Sequence, residues 1–326
     1  MTTFKEIRGT TIEVVSSDPS NPELGQIWYN SSSGTLKGYQ QVNAWSSGGN
    51  LNTARDGVGG FGTQTSALAF GGDTPPATTA TELYNGTSWT NNPTGLNTAR
   101  LQGASSKSAP QTAGIFFGGY NGTANVTASE SWNGTTWTNT PSINSSRRVL
   151  GGIGTQTASL AFAGYVGPAT TTATESWNGT SWTTVNSLPF ARMQLGGAGL
   201  QTAGLAFAGT TTDPTTFSAS TESWNGTSWS NVPGGNINTQ RSNLAGFGSQ
   251  TSALAAGGLT STSPTTGATE LWNGTTWTSN PNNMATARNN LGGTGTQSLG
   301  LVFGAGSPGN ATEEWNSVGT KTITVS

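Results

Sequence analysis

The chain has 326 residues, of which only 8% are charged, and its formal net charge is −2. It contains no Cys and no His, which excludes disulfides, thiol chemistry and most zinc and copper sites. No cluster of Lys or Arg provides the electrostatic footprint of a nucleic-acid-binding protein. Twelve Trp residues nevertheless indicate a folded chain, because disordered chains are poor in aromatic residues.

Residues 1–40 do not follow the pattern of the rest of the chain. Gly25–Tyr29 and Thr35–Tyr39 are aromatic segments separated by a loop that contains Gly34, which predicts a β-hairpin. We therefore predict an N-terminal hairpin arm over residues 1–40, for which the resemblance described below implies a docking role, and a second domain over residues 41–326. The start of the chain lacks the apolar stretch of a signal peptide, and no apolar run is long enough to span a bilayer.

The rest of the chain is an internal repeat. Leu51–Arg55 returns as Leu96–Arg100 and then in degraded form, at steps of 44 to 49 residues. The arginines that end these segments are Arg55, Arg100, Arg148, Arg192, Arg241 and Arg288. A step of this length is that of one four-stranded blade of a β-propeller.

Each repeat predicts four short strands, A to D. Strand A is rich in Gly, as at Gly59-Gly60, and small residues suit the crowded centre of a propeller. Strand B is apolar throughout, as in Ala67–Phe70, which indicates that neighbouring blades cover both of its faces. Strands C and D form a hairpin around Asn-Gly, which supplies the positive φ angles that a tight type I′ turn needs, and the loop holds either two or four residues. The Asn-Gly-Thr sequence also matches the N-glycosylation motif, but the turn explains its recurrence better.

This repeat resembles that of the kelch family of β-propellers over about residues 42–316. The shared features are the Arg, a Gly-Gly after strand B, an aromatic residue on strand C and a Trp on strand D. The chain departs from the family where Trp replaces the strand C Tyr in five of six units, and where Ala-Gly replaces Gly-Gly at Ala163 and Ala208. The resemblance implies an all-β fold, a six-bladed propeller of four-stranded antiparallel blades.

The sixth blade needs a strand D from outside the repeats. Only five strand D tryptophans follow residue 50, but Trp45 stands ten residues before Arg55, at the spacing found in the other units. We predict that the strand around Trp45 closes the last blade, which removes an open edge. The alternating segment Lys321–Ser326 is the rival for this place. If Trp45 fills it, Lys321–Ser326 would pair elsewhere, with Thr10–Val15 as the candidate.

Both ends of the chain resemble segments of bacteriophage virion proteins. The arm sequence Gly25–Tyr39 and the ending Lys321–Val325 are similar to sequences in tail-fibre and other appendage proteins, particularly of marine phages, that also contain kelch-like repeats. The resemblance implies a virion location, with synthesis in the host cytoplasm and no signal peptide. It also implies contacts between the arm and other virion proteins and a homo-oligomeric state in the particle.

Six glutamates occupy the same place on strand C of their blades. They are Glu82, Glu130, Glu175, Glu222, Glu270 and Glu313. Two carboxylates could serve a glycosidase, but this regular placement is typical of a structural residue in a repeat. We predict a structural ring in which the six glutamates pair with the six arginines and tie neighbouring blades together, rather than an anion-binding ring in the channel.

One face of the propeller should collect the loops that differ between blades. These B–C loops are Asp73–Ala80, Tyr120–Thr127, Tyr165–Thr172, Thr210–Ser218 and Leu259–Gly267. Their distinctive side chains are Asp73, Tyr120, Tyr165, Asp213 and Phe217, which offer the carboxylates and aromatic planes that suit a sugar. The alternative is that these are solvated loops without a ligand.

These features favour a phage virion protein, a tail-fibre or capsid appendage whose propeller faces outward and adsorbs to host-surface glycans. The alternative is a kelch-type protein–protein interaction module, and a third hypothesis is a glycan-degrading enzyme. We expect no catalytic activity, no metal and no cofactor, since the copper-radical oxidases that share the kelch propeller need ligands absent from this chain. We also expect neither nucleic-acid binding nor membrane insertion.

Overall fold

The computed structural model describes residues 12–212, 216–261, 265–305 and 309–323. All the secondary-structure elements in these ranges are β-strands. The chain divides into two compact units: Ala44–Trp315, and Met1–Asn43 together with Asn316–Ser326. The strands Thr35–Ser47 and Gly309–Thr322 each contribute residues to both units.

The unit Ala44–Trp315 is a six-bladed β-propeller, which confirms the predicted fold class. Every blade is a four-stranded antiparallel sheet in the order A-B-C-D. Strand A of blades one to six is Gly59–Thr63, Ala104–Ser105, Gly151–Gly154, Gly196–Leu200, Ala245–Gly248 and Gly292–Gly295. Strand B is Ser66–Phe70, Gly114–Phe117, Ser159–Phe162, Ala203–Phe207, Ala253–Ala256 and Leu299–Ala305.

The two outer strands of blades one to five form the predicted hairpin, and those of blade six come from separate parts of the chain. Strand C is Thr81–Tyr84, Ser129–Trp132, Thr174–Trp177, Thr221–Trp224, Thr269–Trp272 and the first part of Gly309–Thr322. Strand D is Trp89–Asn92, Trp137–Thr140, Trp182–Val185, Trp229–Asn231, Trp277–Asn280 and the last part of Thr35–Ser47. We call the segment between strand D of one blade and strand A of the next a linker.

Blade six takes its outermost strand from residues that precede blade one. The strand that contains Trp45 lies beside the strand that contains Trp315, and the two indole centroids are 5.4 Å apart. The Trp45 Nε1 also donates a hydrogen bond of 2.8 Å to the Thr269 hydroxyl of blade five. Trp45 therefore makes the same kinds of contact as the strand D tryptophans of the other blades.

The end of the chain pairs differently from the expectation. In the unit of Met1–Asn43 and Asn316–Ser326, the backbone N–H of Ile323 donates to the carbonyl of Leu36 at 2.8 Å. The predicted pairing of the C-terminal segment with residues 10–15 is wrong for the described residues, because Glu13–Val15 pairs in parallel with Ile27–Asn30. The end of Gly309–Thr322 instead lies beside the first part of Thr35–Ser47.

Apolar clusters fill the boundaries between neighbouring blades. Between blades one and two, for example, Phe61 and Phe70 pack against Phe116, Trp132 and Trp137. Such clusters leave no room for side chains on parts of strand A. A Cβ at Gly60 would lie only 2.4 Å from the ring of Phe303 in blade six, which explains the glycines of this strand.

The C–D loops have four residues and are not type I′ turns. Tyr84 pairs directly with Trp89 across the hairpin, so Asn85, Gly86 and the two residues after them form the loop. Gly86 has a φ of 93°, but Asn85 is not among the residues with positive φ, whereas a type I′ turn needs positive φ at both central positions. The Asn85 side-chain oxygen instead accepts hydrogen bonds from the backbone N–H groups of Thr87 and Ser88.

Candidate functional site

Six buried ion pairs join the linkers to strand C. In each pair an Arg at the end of a linker contacts the strand C Glu of the blade that follows. The pairs are Arg55–Glu82, Arg100–Glu130, Arg147–Glu175, Arg192–Glu222, Arg241–Glu270 and Arg288–Glu313. Each pair thereby anchors the chain that arrives from one blade onto the sheet of the next.

The third member of this set is Arg147, so the assignment of Arg148 to the structural ring was wrong. Arg147 is fully buried and lies 2.9 Å from the Glu175 carboxylate. In every linker the paired Arg stands four residues after a buried apolar residue, and counting from Ile143 gives Arg147. Because Arg147 and Arg148 are adjacent, the repeat length alone does not distinguish them, whereas the spacing from Ile143 does.

The carboxylate oxygens of the strand C glutamates form ion pairs or hydrogen bonds with linker residues. Glu82, for example, accepts hydrogen bonds from Arg55 and from the backbone N–H groups of Asn52 and Thr53. Burial lowers the pKa of Arg55 to about 10, and this guanidinium remains charged at neutral pH. None of the six arginines or six glutamates lines the cavity on the propeller axis.

The B–C loops and the linkers lie together on one face of the propeller, which we call the variable face. Three of the five predicted ligand-binding residues, Asp73, Tyr120 and Tyr165, occupy equivalent positions there, each bridged through its backbone to a linker residue. Phe217 lies further along its loop and bridges to Thr210, which takes this position in blade four. Asp213 lies outside the described residues.

Arg148 brings two of these predicted residues together. Its guanidinium carbon is 4.6 Å from the ring centroid of Tyr120 and 5.2 Å from that of Tyr165. Tyr120 belongs to the B–C loop of blade two, Tyr165 to that of blade three, and Arg148 to the linker between them. Asn125 fixes the two loops by donating from its side chain to the backbone carbonyl of Tyr165 at 3.0 Å. We call Tyr120, Arg148 and Tyr165 the Tyr–Arg–Tyr cluster.

The cluster is half-buried, and Arg148 forms no ion pair with a described residue. Its guanidinium therefore keeps hydrogen-bond donors for a ligand while its plane contacts the two aromatic rings. Arg148 was not recognised from the sequence as a ligand-binding candidate. The signal that could have found it is the doubling of Arg in this one linker.

A closed ring of backbone hydrogen bonds surrounds the axis at the variable face. In each linker one residue with a φ between 47° and 59° donates its N–H to the carbonyl of its equivalent in a neighbouring linker, at 2.7 to 3.0 Å. The six residues are Gly57, Gln102, Val149, Gln194, Asn243 and Asn290. We call them the linker ring. Because every linker takes part, the ring fixes the positions of all six linkers around the mouth of an axial cavity.

In the described part of the chain, no three or more His, Cys, Asp or Glu side chains come together in a way that could hold a metal ion. No helix in the described ranges has the length and apolar character needed to cross a membrane.

The β-propeller suggests an interaction module, in which a rigid scaffold presents variable loops on one face. No protein-family model and no curated protein sequence matches this chain. Its function must therefore be inferred from the site itself.

Proposed function

We propose that the protein is a kelch-like bacteriophage virion protein, a tail-fibre or capsid appendage, whose variable face adsorbs to host-surface glycans. The observation that supports glycan binding is the Tyr–Arg–Tyr cluster. It combines two aromatic planes with a guanidinium on a face made of loops that differ between blades.

The chemistry of the cluster suits a sugar. The apolar C–H face of a pyranose packs against an aromatic ring, while ring hydroxyls or a carboxylate accept hydrogen bonds from a guanidinium. Arg148 is well suited to an acidic sugar in particular, because its charge is not neutralised by a carboxylate of the described chain. The surrounding loops are rich in Thr and Ser, whose hydroxyls can both donate and accept.

We propose binding without catalysis. A glycosidase needs two accessible carboxylates at a suitable separation. The strand C glutamates are buried in ion pairs with arginines, and five of the six also accept a hydrogen bond from a linker backbone N–H, as Glu130 does from Asn97. This environment supports a structural role for all six.

The arm is proposed to contact other virion proteins. Within its unit, Val14 and Leu24 have 67% and 68% of their surface exposed. These two apolar side chains are therefore available for contact with a partner. The virion assignment itself depends on the resemblance of both ends of the chain to phage appendage proteins, and homo-oligomerisation in the particle is part of the same proposal.

Glycan binding can be tested on an array of bacterial surface polysaccharides. We expect the wild-type chain to bind acidic glycans, and Arg148→Met and Tyr165→Ala each to reduce binding at least tenfold. Leu200→Ser is the matched control, because Leu200 is exposed and is the last residue of strand A of blade four, next to the A–B turn and away from the B–C loops. Equal binding by the wild type and Arg148→Met, or no binding to any glycan, would contradict the role of the cluster.

The virion location needs a separate experiment. Mass spectrometry and cryo-electron microscopy of purified particles should find the chain in an appendage, with the arm toward the particle and the variable face outward. If the chain is found only free in the infected cell, the virion assignment is wrong. Capture of a single cellular protein by the variable face would instead support the kelch-type interaction module.

A further inference from the structure

Blade two departs from the repeat at its innermost strand. Six residues separate Ala104 from Gln111, whereas four separate the equivalent residues Gly59 and Gln64 of blade one. Its strand A is only two residues long, Ala104–Ser105. The two additional residues lie within Ser106–Pro110, which we call the insert.

The insert reaches across the propeller axis. Ser108 donates from its backbone N–H to Gly154 of blade three and from its hydroxyl to Gly199 of blade four, both at 2.9 Å. The Lys107 ammonium donates to the carbonyl of Gly293 of blade six at 3.0 Å. One blade thus provides a segment bonded to three others, and it places a lysine among strands that have no other charged residue.

Lys107 lines the axial cavity, which has a volume of about 110 Å³. Strand A and linker residues of all six blades form the rest of the lining, and the lining contains no Asp, Glu, Arg or Tyr. The nearest titratable groups along the chain are Asp56 and Arg148, each adjacent to a member of the linker ring. Lys107 is therefore the one charged group that faces this space.

Four carboxamides from the linker ring also line the cavity. They are Gln102, Gln194, Asn243 and Asn290. They use their backbone N–H and carbonyl groups in the ring, and their side chains form no hydrogen bond with a described residue. Each therefore offers two N–H donors to a ligand in the cavity.

The balance of charge and hydrogen bonds favours an anion. Desolvation lowers the pKa of Lys107 to about 8, so the Lys107 amine is still protonated in most molecules at pH 7. A partly desolvated cation is stabilised by a counter-ion, and the protein provides none in the lining. The volume corresponds to three or four waters at about 30 Å³ each, which is enough for a group of the size of acetate.

We propose that the axial cavity is a binding site for a small carboxylate, held by the Lys107 ammonium and the carboxamides of the linker ring. The ligand is either a free small carboxylate or the carboxylate of a uronic acid whose sugar ring remains at the cavity mouth. This site is distinct from the Tyr–Arg–Tyr cluster and does not depend on the proposed adsorption to glycans.

Calorimetric titration with sodium acetate and with sodium glucuronate tests the proposal. At pH 7 we expect saturable binding of acetate at one site per chain and a loss of at least tenfold in its affinity in Lys107→Met. Lys321→Met is the matched control, since it removes an exposed lysine that does not line the cavity and should leave acetate affinity unchanged. Binding of glucuronate but not of its methyl ester indicates a sugar-borne ligand, and binding of acetate alone indicates a free carboxylate.

A measurement on the wild type avoids any folding defect of the Lys107→Met variant. Because the Lys107 amine loses its proton as the pH rises through about 8, affinity for acetate should fall about tenfold between pH 7 and pH 9. Absence of saturable binding of either carboxylate would overturn the proposal, as would affinity that is unchanged by pH or by Lys107→Met. In those cases the cavity holds water only.

Discussion

The indole Nε1 of Trp182 and the hydroxyl of Ser129 are buried at a blade boundary, and neither has a hydrogen-bond partner. At the other five boundaries a strand D indole donates to a Thr hydroxyl on strand C of the preceding blade, at 2.8 to 3.1 Å. These five pairs are Trp45–Thr269, Trp89–Thr312, Trp137–Thr81, Trp229–Thr174 and Trp277–Thr221. At this position of strand C, blade two has Ser129 and the other five blades have Thr.

Ser129→Thr should stabilise the propeller. The β-branched side chain of Thr restricts χ1 and can hold the hydroxyl toward the Trp182 indole, as at the other boundaries. A hydrogen bond between two groups that are already buried should raise the free energy of unfolding by about 0.5–1.5 kcal/mol, as measured by chemical denaturation. Thr81→Ser is the matched control and should lower it by a similar amount. A destabilised Ser129→Thr would contradict this account of the boundary.

The adjacent residues Arg147 and Arg148 should differ sharply in their effect on stability. Arg147→Met leaves the Glu175 carboxylate buried without its counter-charge, at a cost of about 3–5 kcal/mol. Arg148→Met removes only contacts with two half-buried tyrosine rings, worth about 0.5–1 kcal/mol. Denaturation curves of the two variants provide the comparison. Equal losses of stability would mean that the ion pair has little importance for the fold.

Both members of one buried ion pair can also be replaced by apolar residues. Glu130→Gln keeps the shape of the side chain but leaves Arg100 as an unpaired buried cation, and we expect a loss of about 3–5 kcal/mol in the free energy of unfolding. Converting both residues to apolar ones, Arg100→Met with Glu130→Leu, should recover most of that loss. Glu23→Gln, at an exposed position of the arm, is the control. A double variant less stable than Glu130→Gln would show that the charged pair itself stabilises the blade.

The repeat made most of the propeller predictable. Strand D tryptophans such as Trp89, and glycines such as Gly60, recur because each blade meets the same neighbours, and periodic packing leaves a periodic sequence. The place of Trp45 follows from its distance to Arg55. The C–D turn was mistaken because Asn-Gly is typical of type I′ turns, while Asn85 here uses its side chain to bond the loop backbone.

The candidate sites depend on what does not repeat. Tyr120 and Tyr165 are 45 residues apart in the sequence, and only the packing of two blades brings both rings to Arg148. The insert with Lys107 is visible as an irregular length, but its path across the axis depends on contacts with three other blades. Such contacts leave no periodic signal in a single sequence.

The arm should show its own response to acid through Asp18. This carboxylate accepts hydrogen bonds from Lys37 at 2.7 Å, from Asn30 at 2.7 Å and from the buried Trp28 indole at 3.0 Å. These hydrogen bonds lower the pKa of Asp18 from 3.8 to about 2, and the bond from Lys37 has the largest effect. Because the folded-state pKa is the lower one, the stabilisation is complete above the unfolded-state pKa and is lost as the pH falls from about 4 to about 2.

Nuclear magnetic resonance can follow this transition at the Trp28 indole N–H. We expect its resonance to remain constant down to about pH 4 and then to shift with a midpoint near pH 2, as the protonated Asp18 becomes a weaker acceptor. Asp18→Asn removes the titrating group and should abolish the shift while keeping an oxygen that can accept from the indole. A midpoint near pH 4 in the wild type would mean that Lys37, Asn30 and Trp28 do not form these hydrogen bonds with the Asp18 carboxylate when the protein is in solution.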